Sequence, residues 1–194
     1  MPGTRIFCLT QIHSDRIIRA EGTSPKDFPE ADGIFSRDPA DVLCIRTADC
    51  VPVLLRADDS SMIGAVHAGW RGLAQDIVSK AVYLMQSDGA KHIHVSIGPS
   101  IGPCCYQVGQ EVVLALGAKP IARDDGAISV DLAGIASLQA KKAGIAEDRI
   151  HMVRSCTCCN PDKFFSFRRD KEAAGRNISV IGGESWSLPG LQAE

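Results

Sequence analysis

Three apolar runs, Val42 to Arg46, Val51 to Leu55 and Met62 to His67, follow one another with only short breaks between them. Each run has strand length, and neither break is long enough to hold a helix. The second break contains the turn Asp58-Asp-Ser-Ser61. A turn there folds the last two runs into an antiparallel pair, so the end of one strand returns beside the start of the other. His67 is thereby brought near Cys50, with Asp49 next to it at the strand junction.

Further runs extend the pattern. Ile6 to Ile12 and Arg16 to Ala20 read as strands, with a polar, Pro-containing loop from Gly22 to Asp32. Leu73 to Gln86 has helical spacing through Leu73, Ile77, Val78, Ala81, Val82 and Met85, and Ser87-Asp-Gly89 stops it. His92 to Ile97 alternates as a strand, followed by an irregular loop with two Gly-Pro pairs, Gly98-Pro and Gly102-Pro. Gln110 to Leu116 and Leu132 to Ala143 are expected helices, the second ended by Gly144. Ile150 to Val153 and Ile178 to Ile181 are expected strands. Helices and strands mix without strict alternation, which predicts an α+β fold with mixed sheets rather than a doubly wound parallel one. No repeat or linker divides the chain, so residues 1–194 are expected to form a single domain.

The chemistry concentrates at strand ends. His13 in Gln11-Ile-His13, Cys50 in Ala48-Asp-Cys50 and His67 before Ala68-Gly-Trp70 each stand at such an end or turn. Two imidazoles and one thiolate satisfy three corners of a tetrahedral zinc and leave the fourth open, the mark of a catalytic site. Any one of them alone reads as a buried, hydrogen-bonded core residue. Asp49 is the expected proton-transfer or orienting carboxylate. Gly69-Trp-Arg-Gly72, placed just before the expected helix, makes Arg71 a candidate anion holder, with an ordinary strand-to-helix turn around a packed Trp70 as the plain alternative. In Cys156-Thr-Cys-Cys-Asn-Pro-Asp-Lys-Phe-Phe-Ser-Phe-Arg-Arg-Asp170, Arg168 and Arg169 are candidate substrate ligands. The alternative has Phe164 and Phe165 filling core while the arginines pair with Asp162 or Asp170.

Composition narrows the partners. The chain has 194 residues, is 45% hydrophobic and carries a net charge of −2, with no long charged run. Neither nucleic acid nor an anionic membrane surface is implied. No apolar stretch nears the ~18 residues of a membrane span, and no signal-peptide core follows Met1, so a cytoplasmic protein is expected. Eight cysteines in a core-rich chain of this size read as reduced thiols rather than a disulfide framework. Cys8 and Cys44 fit small buried hydrophobes. Cys156 and Cys159 have Cys-x-x-Cys spacing without a second such pair, which leaves a redox or half-site role open. Cys104 and Cys105 offer extra soft ligands whose adjacency makes joint chelation of one ion strained. A role for these and for Cys158 does not follow from the sequence.

Taken in order, Gln11-Ile-His13, Ala31-Asp-Gly33, Thr47-Ala-Asp-Cys-Val-Pro52, His67-Ala-Gly-Trp-Arg-Gly72, Ile97-Gly-Pro-Ser-Ile-Gly-Pro-Cys-Cys-Tyr106 and the Cys156 to Asp170 segment with Gly175-Arg176 resemble the YfiH/YlmD family. That family is labelled polyphenol oxidase or laccase-domain and is related to the peptidoglycan editing factor. The resemblance implies a layered α/β/β/α fold and a zinc site formed by the residues matching His13, Cys50 and His67. It also implies purine nucleoside phosphorylase activity, with methylthioadenosine cleavage and adenosine deamination, acting on purine nucleosides and phosphate. Copper of the laccase kind does not fit, because those clusters need more histidines than the five present. Family chains carry a segment before the Gln-x-His motif, and this chain is expected to lack it. Two rivals stand beside this reading: a metal-free Cys–His hydrolase or amidase with Cys50 as nucleophile and His67 as base, and a non-enzymatic binding module, which leaves the His/Cys/His set without purpose.

Overall fold

In a computed structural model, residues 4–182 are described. The chain opens with β1 (Arg5–Cys8), β2 (Ile17–Arg19), β3 (Gly33–Ser36), β4 (Asp41–Thr47), β5 (Val51–Ala57) and β6 (Ile63–Ala68). Then come α1 (Trp70–Ala74), α2 (Ile77–Ser87), β7 (Ile93–Ile97), α3 (Gln110–Leu116), β8 (Ile121–Ala122), β9 (Ile128–Ser129) and α4 (Leu132–Lys142). The last elements are β10 (Ile150–Met152), α5 (Phe167–Asp170) and β11 (Asn177–Gly182).

Nine of these strands form two sheets. The larger has the order β10-β7-β5-β6-β3-β2 and the smaller β1-β4-β11, with β8-β9 a separate ribbon. Both sheets mix parallel and antiparallel pairs, as the α+β reading expects. β5 and β6 pair antiparallel with Val51 opposite Ala68 and Pro52 opposite His67. That register delivers the expected return of His67 to Cys50.

Period-two alternation divides the side chains of β6 between two cores. Val66 and Ala68 pack with Val51, Val53, Ile77, Val82 and Ala140 against the helices. Ile63 and Ala65 point the other way, to Phe7, Ile34, Leu43 and Ile45 between the sheets. Both faces of β6 are therefore covered, and all six of its residues are buried. Among the described residues the layers run helices, large sheet, small sheet. On the far face of the small sheet Ile6 and Ile178 are 55% and 57% exposed, and no described helix covers them.

Several boundaries differ from the sequence reading. The strand expected over Ile6 to Ile12 ends at Cys8, and the chain then turns so sharply that His13 takes a φ of 59°. The single helix expected over Leu73 to Gln86 is two, broken where Asp76 adopts a left-handed φ of 56° that no α-helix continues through. As a result Trp70 and Arg71 lie in α1 rather than ahead of a helix. β3 went unread because Ala31-Asp-Gly33 carries turn residues and the strand, starting at Gly33, is only four residues long. Phe165, a candidate core filler, is 50% exposed and lies against Gly175 instead.

Candidate metal centre

The site forms where the loop after β1, the β4–β5 junction and the end of β6 meet. Asp32, wholly buried, organises it. Its carboxylate accepts hydrogen bonds from the backbone N–H of His13 at 3.0 Å and of Ser14 at 2.6 Å, and from Ser14 Oγ at 2.7 Å. It also takes His67 Nδ1 at 2.8 Å, while its backbone oxygen accepts from the N–H of His67 at 2.7 Å. One residue thus pins the His13 turn and sets the His67 ring, leaving Nε2 of His67 for the site. Burial alone would raise the Asp32 pKa, but the bonds from His67 and Ser14 outweigh it and bring it to about 2.

Cys50 completes the group. Its sulfur lies 3.9 Å from His13 Nε2, and the two imidazoles meet edge-on with centroids 4.8 Å apart. Donor atoms of His13, Cys50 and His67 all lie within 4.8 Å of one another. Against the opposing pull of burial, hydrogen bonds to His13 and His67 lower the Cys50 pKa to about 6. Burial likewise opposes protonation of His67, yet Asp32 and Cys50 raise it to about 9. Gly69 leaves room beside the donors, since a Cβ there would stand 3.1 Å from His13 Cδ2 and 3.3 Å from Cys50 Sγ. His67 is buried, Cys50 half-buried and His13 exposed, so the group opens on one side. Two imidazoles and a thiolate with an open side suit a zinc-type ion, and the residues present fit one.

That side is a cavity of about 540 Å³ lined by Thr47, Ile101, Tyr106, Phe167, Arg46, Arg168 and Arg176 as well as the three donors. Thr47 carries a buried hydroxyl with no hydrogen-bond partner among the described residues. Phe167 is 43% exposed and offers an aromatic face. Burial, with the nearby Cys50 charge, pushes the Tyr106 hydroxyl up to about 12, so it stays protonated at neutral pH.

The other expected site residues are placed as follows. Asp49 lines the cavity at a φ of 89°, but its carboxylate is engaged by Thr157 Oγ1 at 2.7 Å and by the backbone N–H of Arg168 at 2.6 Å. Its carbonyl accepts from the N–H of Ile101 at 2.9 Å. Such strained backbone, costing on the order of 1–3 kcal/mol, persists when the surroundings hold it from several sides. Arg168 reaches the cavity but donates to the carbonyls of Cys105 at 3.1 Å and Gln107 at 3.0 Å, and lies over the Tyr106 ring. Arg169 stays off the cavity, paired with Asp170 at 2.7 Å and bonded to the carbonyls of Thr157, Cys158 and Phe164. Arg71 is exposed, stacked 4.4 Å from the Trp70 ring centroid, and does not line the cavity.

Sequence reasoning passed over Asp32, Thr157, Arg46 and Arg176 as functional residues. A carboxylate directly before glycine in Ala31-Asp-Gly33 was the available signal for Asp32. Arg176 belongs to the Gly175-Arg176 motif of the family resemblance, which gives it no role, and Arg46, just before Thr47-Ala-Asp-Cys50, carried no signal of its own.

With this geometry in hand, the chain matches a family model over residues 1–184 and belongs to that family, described as multi-copper polyphenol oxidoreductase laccase. A relative named purine nucleoside phosphorylase YlmD, from Geobacillus stearothermophilus, is 34% identical across 96% of this chain and 75% of its own length. One named purine nucleoside phosphorylase, from Haemophilus influenzae, is 36% identical across 93% of this chain and 75% of its own. The crystal structure of the Geobacillus YlmD superposes with a TM-score of 0.84 over 94% of this chain and 74% of that one, at 34% identity. Among the described residues no helix is long and apolar enough to cross a membrane.

Proposed function

We propose that this chain is a zinc-dependent purine nucleoside phosphorylase that also cleaves methylthioadenosine and deaminates adenosine. The observation that carries the reading is the convergence of His13, Cys50 and His67 on a cavity that also holds three arginines and an aromatic face. The relatives' names supply the substrate class.

His13, Cys50 and His67 would hold the ion. A zinc ion held there would supply Lewis acidity, which lowers the pKa of water toward ~7 and suits deamination at a purine carbon. Phosphorolysis needs an anion site: a phosphate oxygen bonds to the ribose carbon as the glycosidic bond breaks and its electron pair leaves with the purine. Arg46, Arg168 and Arg176 at the cavity balance that charge, with Arg71 outside the first ring of contacts. Phe167 and Tyr106 provide a stacking wall for the base. Asp49, with both oxygens engaged, is a positioning residue that sets Cys50 and Arg168 against each other.

Zinc-loaded protein incubated with adenosine is expected to release adenine and ribose 1-phosphate only when phosphate is present, and inosine without it. Absence of turnover of adenosine, inosine and methylthioadenosine by folded, zinc-loaded protein defeats the reading.

A Cys–His hydrolase is a second reading with a specific observation behind it: Cys50 lies within 4.8 Å of His67, whose Nδ1 is paired with Asp32, an order like that of a nucleophile, base and orienting acid. His13 separates the two. A dyad does not need it, whereas a three-donor metal site fails without it. His13→Ala is therefore expected to lose zinc and activity together; retained activity without metal favours the hydrolase.

A further inference from the structure

A second group of soft ligands lies behind the cavity wall. Cys104 and Cys105, in the loop after β7, meet Cys156 and Cys159, in the segment after β10, and the four sulfurs all lie within 4.8 Å of one another. Cys105 and Cys159 have their sulfurs 3.2 Å apart, and Cys104 and Cys159 3.6 Å. A disulfide bond is about 2.03–2.05 Å long, so these are unbonded thiols. A tetrahedral ion with zinc–sulfur bonds of ~2.3 Å has sulfur–sulfur edges of about 3.8 Å. The two separations fall just short of that edge and every pair lies within 4.8 Å, so small side-chain shifts reach it. The adjacency of Cys104 and Cys105, expected to strain joint chelation, does not keep their sulfurs apart.

The surroundings are built for charge on sulfur. The backbone N–H of Gly102 donates to Cys156 Sγ at 3.2 Å. A Cβ on Gly102 would stand 3.3 Å from Cys104 Sγ and 3.3 Å from Cys156 Cβ, so glycine lets the two loops close on one another. An isolated bridge between Ser100 and Cys156 aligns them. Arg123, its guanidinium paired with Asp125 at 3.1 Å, holds the carbonyls of Pro103 and Cys104 and fixes the loop that carries the first two cysteines.

We propose that Cys104, Cys105, Cys156 and Cys159 bind one zinc ion as a closed, four-thiolate structural site, distinct from the His13/Cys50/His67 centre. An all-sulfur set selects zinc over oxygen-loving cations, and four protein ligands leave no corner for substrate. The ion's task follows from what its two loops carry. Ile101 and Tyr106 stand on one, Phe167 and Arg168 lie beyond the other, and all four line the cavity. The carbonyl of Cys105 accepts from Arg168 Nη1, so the cluster is one residue removed from the substrate wall. Bound zinc ties that wall together much as a disulfide would in an oxidising compartment.

The test uses the full chain, purified without oxygen under a phosphine reductant. Wild type is expected to bind two zinc equivalents by elemental analysis. Cys50→Ser, with the second cluster intact, is expected to keep one. Loaded with cobalt, that variant should show the intense sulfur-to-cobalt charge-transfer and d–d bands of a tetrathiolate. Cys156→Ser in the same background should abolish those bands, with circular dichroism confirming a folded chain. Binding of only one equivalent by wild type, lost altogether in folded Cys50→Ser, overturns the proposal. So does a Cys105–Cys159 disulfide mapped in protein kept reduced throughout. The cobalt signature in Cys50→Ser does not depend on purine turnover, so the proposal and the functional reading fail separately.

Discussion

The two ligand clusters are assembled in opposite ways. His13, Cys50 and His67 are carried by a turn, a strand junction and a strand end, and the register of β5 on β6 puts Pro52 beside His67 before any side chain is considered. One buried carboxylate, Asp32, then locks the two histidines. The four cysteines ride on irregular loops from distant parts of the chain, joined by one bridge and a glycine contact. The first cluster is rigid without its ion, because strands and a buried acid supply its geometry. The second has no strand register behind it, and its loops are held by hydrogen bonds such as Gly102 N–H to Cys156 Sγ and Asn160 to the Cys156 carbonyl. Mixed donors facing a cavity suit chemistry, and sulfur-only donors behind its wall suit support, the division the two proposals make.

Removing Asp32 should widen that contrast most. Asp32→Ala deletes the acceptor for His13, Ser14 and His67 inside the protein, and loss of one member of a buried charged network costs about 3–5 kcal/mol. Urea unfolding is expected to show that loss, with zinc gone from the first cluster and the cobalt signature of the second retained. The pH dependence has a definite sign. Asp32 titrates near 2 in the fold, below its ordinary 3.8, so the unfolded chain takes up the proton first as acid is added. Its contribution is complete above the ordinary value and vanishes as pH falls through about 2. Asp32→Asn should flatten that acid limb in metal-free protein. An unchanged limb means that Asp32 is not the group responsible.

This asymmetry also explains what could be read without coordinates. Strand runs such as Val51 to Leu55 and Met62 to His67 announce themselves by apolar pattern, and a turn between them fixes their register. Cys50 and His67 were legible as neighbours for that reason alone. Helices α3 and α4 were equally plain, within a residue of their ends. The split between α1 and α2 was hidden because it depends on the backbone of one residue, Asp76, whose side chain is compatible with either state. Asp32 was hidden because a carboxylate before glycine reads as turn chemistry, and its five-fold role is a product of tertiary packing. Meeting of Cys104 and Cys105 with Cys156 and Cys159 depends on loop paths, for which periodicity carries no information. Arg168 and Arg169 are adjacent and chemically identical, yet α5 sends one to the cavity and the other to Asp170.

The two clusters are bridged by Asp49, and Thr157→Val sharpens the comparison there. The hydroxyl it deletes donates to Asp49 Oδ1 inside the protein, and an under-satisfied buried acceptor costs about 1–3 kcal/mol. Because Thr157 lies next to Cys156 and Asp49 next to Cys50, loosening should reach both sites. Zinc affinity measured by chelator competition is expected to fall at each. A fall at only one places the strut wholly on that side.

Gly69→Ala acts on the first cluster alone. Its methyl would press on His13 and Cys50 at 3.1 and 3.3 Å, so the donors must give by a few tenths of an ångström. About ten-fold weaker zinc binding is expected, in the range seen when support around a metal ligand is disturbed, while unfolding stability stays near wild type. Equal affinity would show that the cradle has slack. Reactivity gives an independent reading of the same donors. With its pKa lowered to about 6, the Cys50 thiol of metal-free protein should alkylate readily at neutral pH and slow as pH drops through that value, and added zinc should protect it. Rapid alkylation in zinc-loaded protein removes Cys50 from the ligand set.

The smallest effect is expected at Arg71, and its smallness is informative. Arg71 stacks on Trp70 at the protein surface and touches neither cluster, whereas Arg176 lines the cavity and donates Nη1 to the neighbouring carbonyls of Ala174 and Gly175. If phosphate sits among the cavity arginines, Arg176→Ala should raise the KM for phosphate about ten-fold or more, the loss expected for one charge-assisted contact. Arg71→Ala should change it less than about three-fold, as expected for a solvated charge whose field is screened at physiological salt. Deamination, which consumes water and no phosphate, should be spared in both variants, so the ratio of adenine to inosine formed reports the phosphate site separately from the metal. A larger loss at Arg71 than at Arg176 moves the anion site from the cavity to the start of α1. It would also mean that α1, and not the arginines near the two clusters, delivers phosphate to the nucleoside.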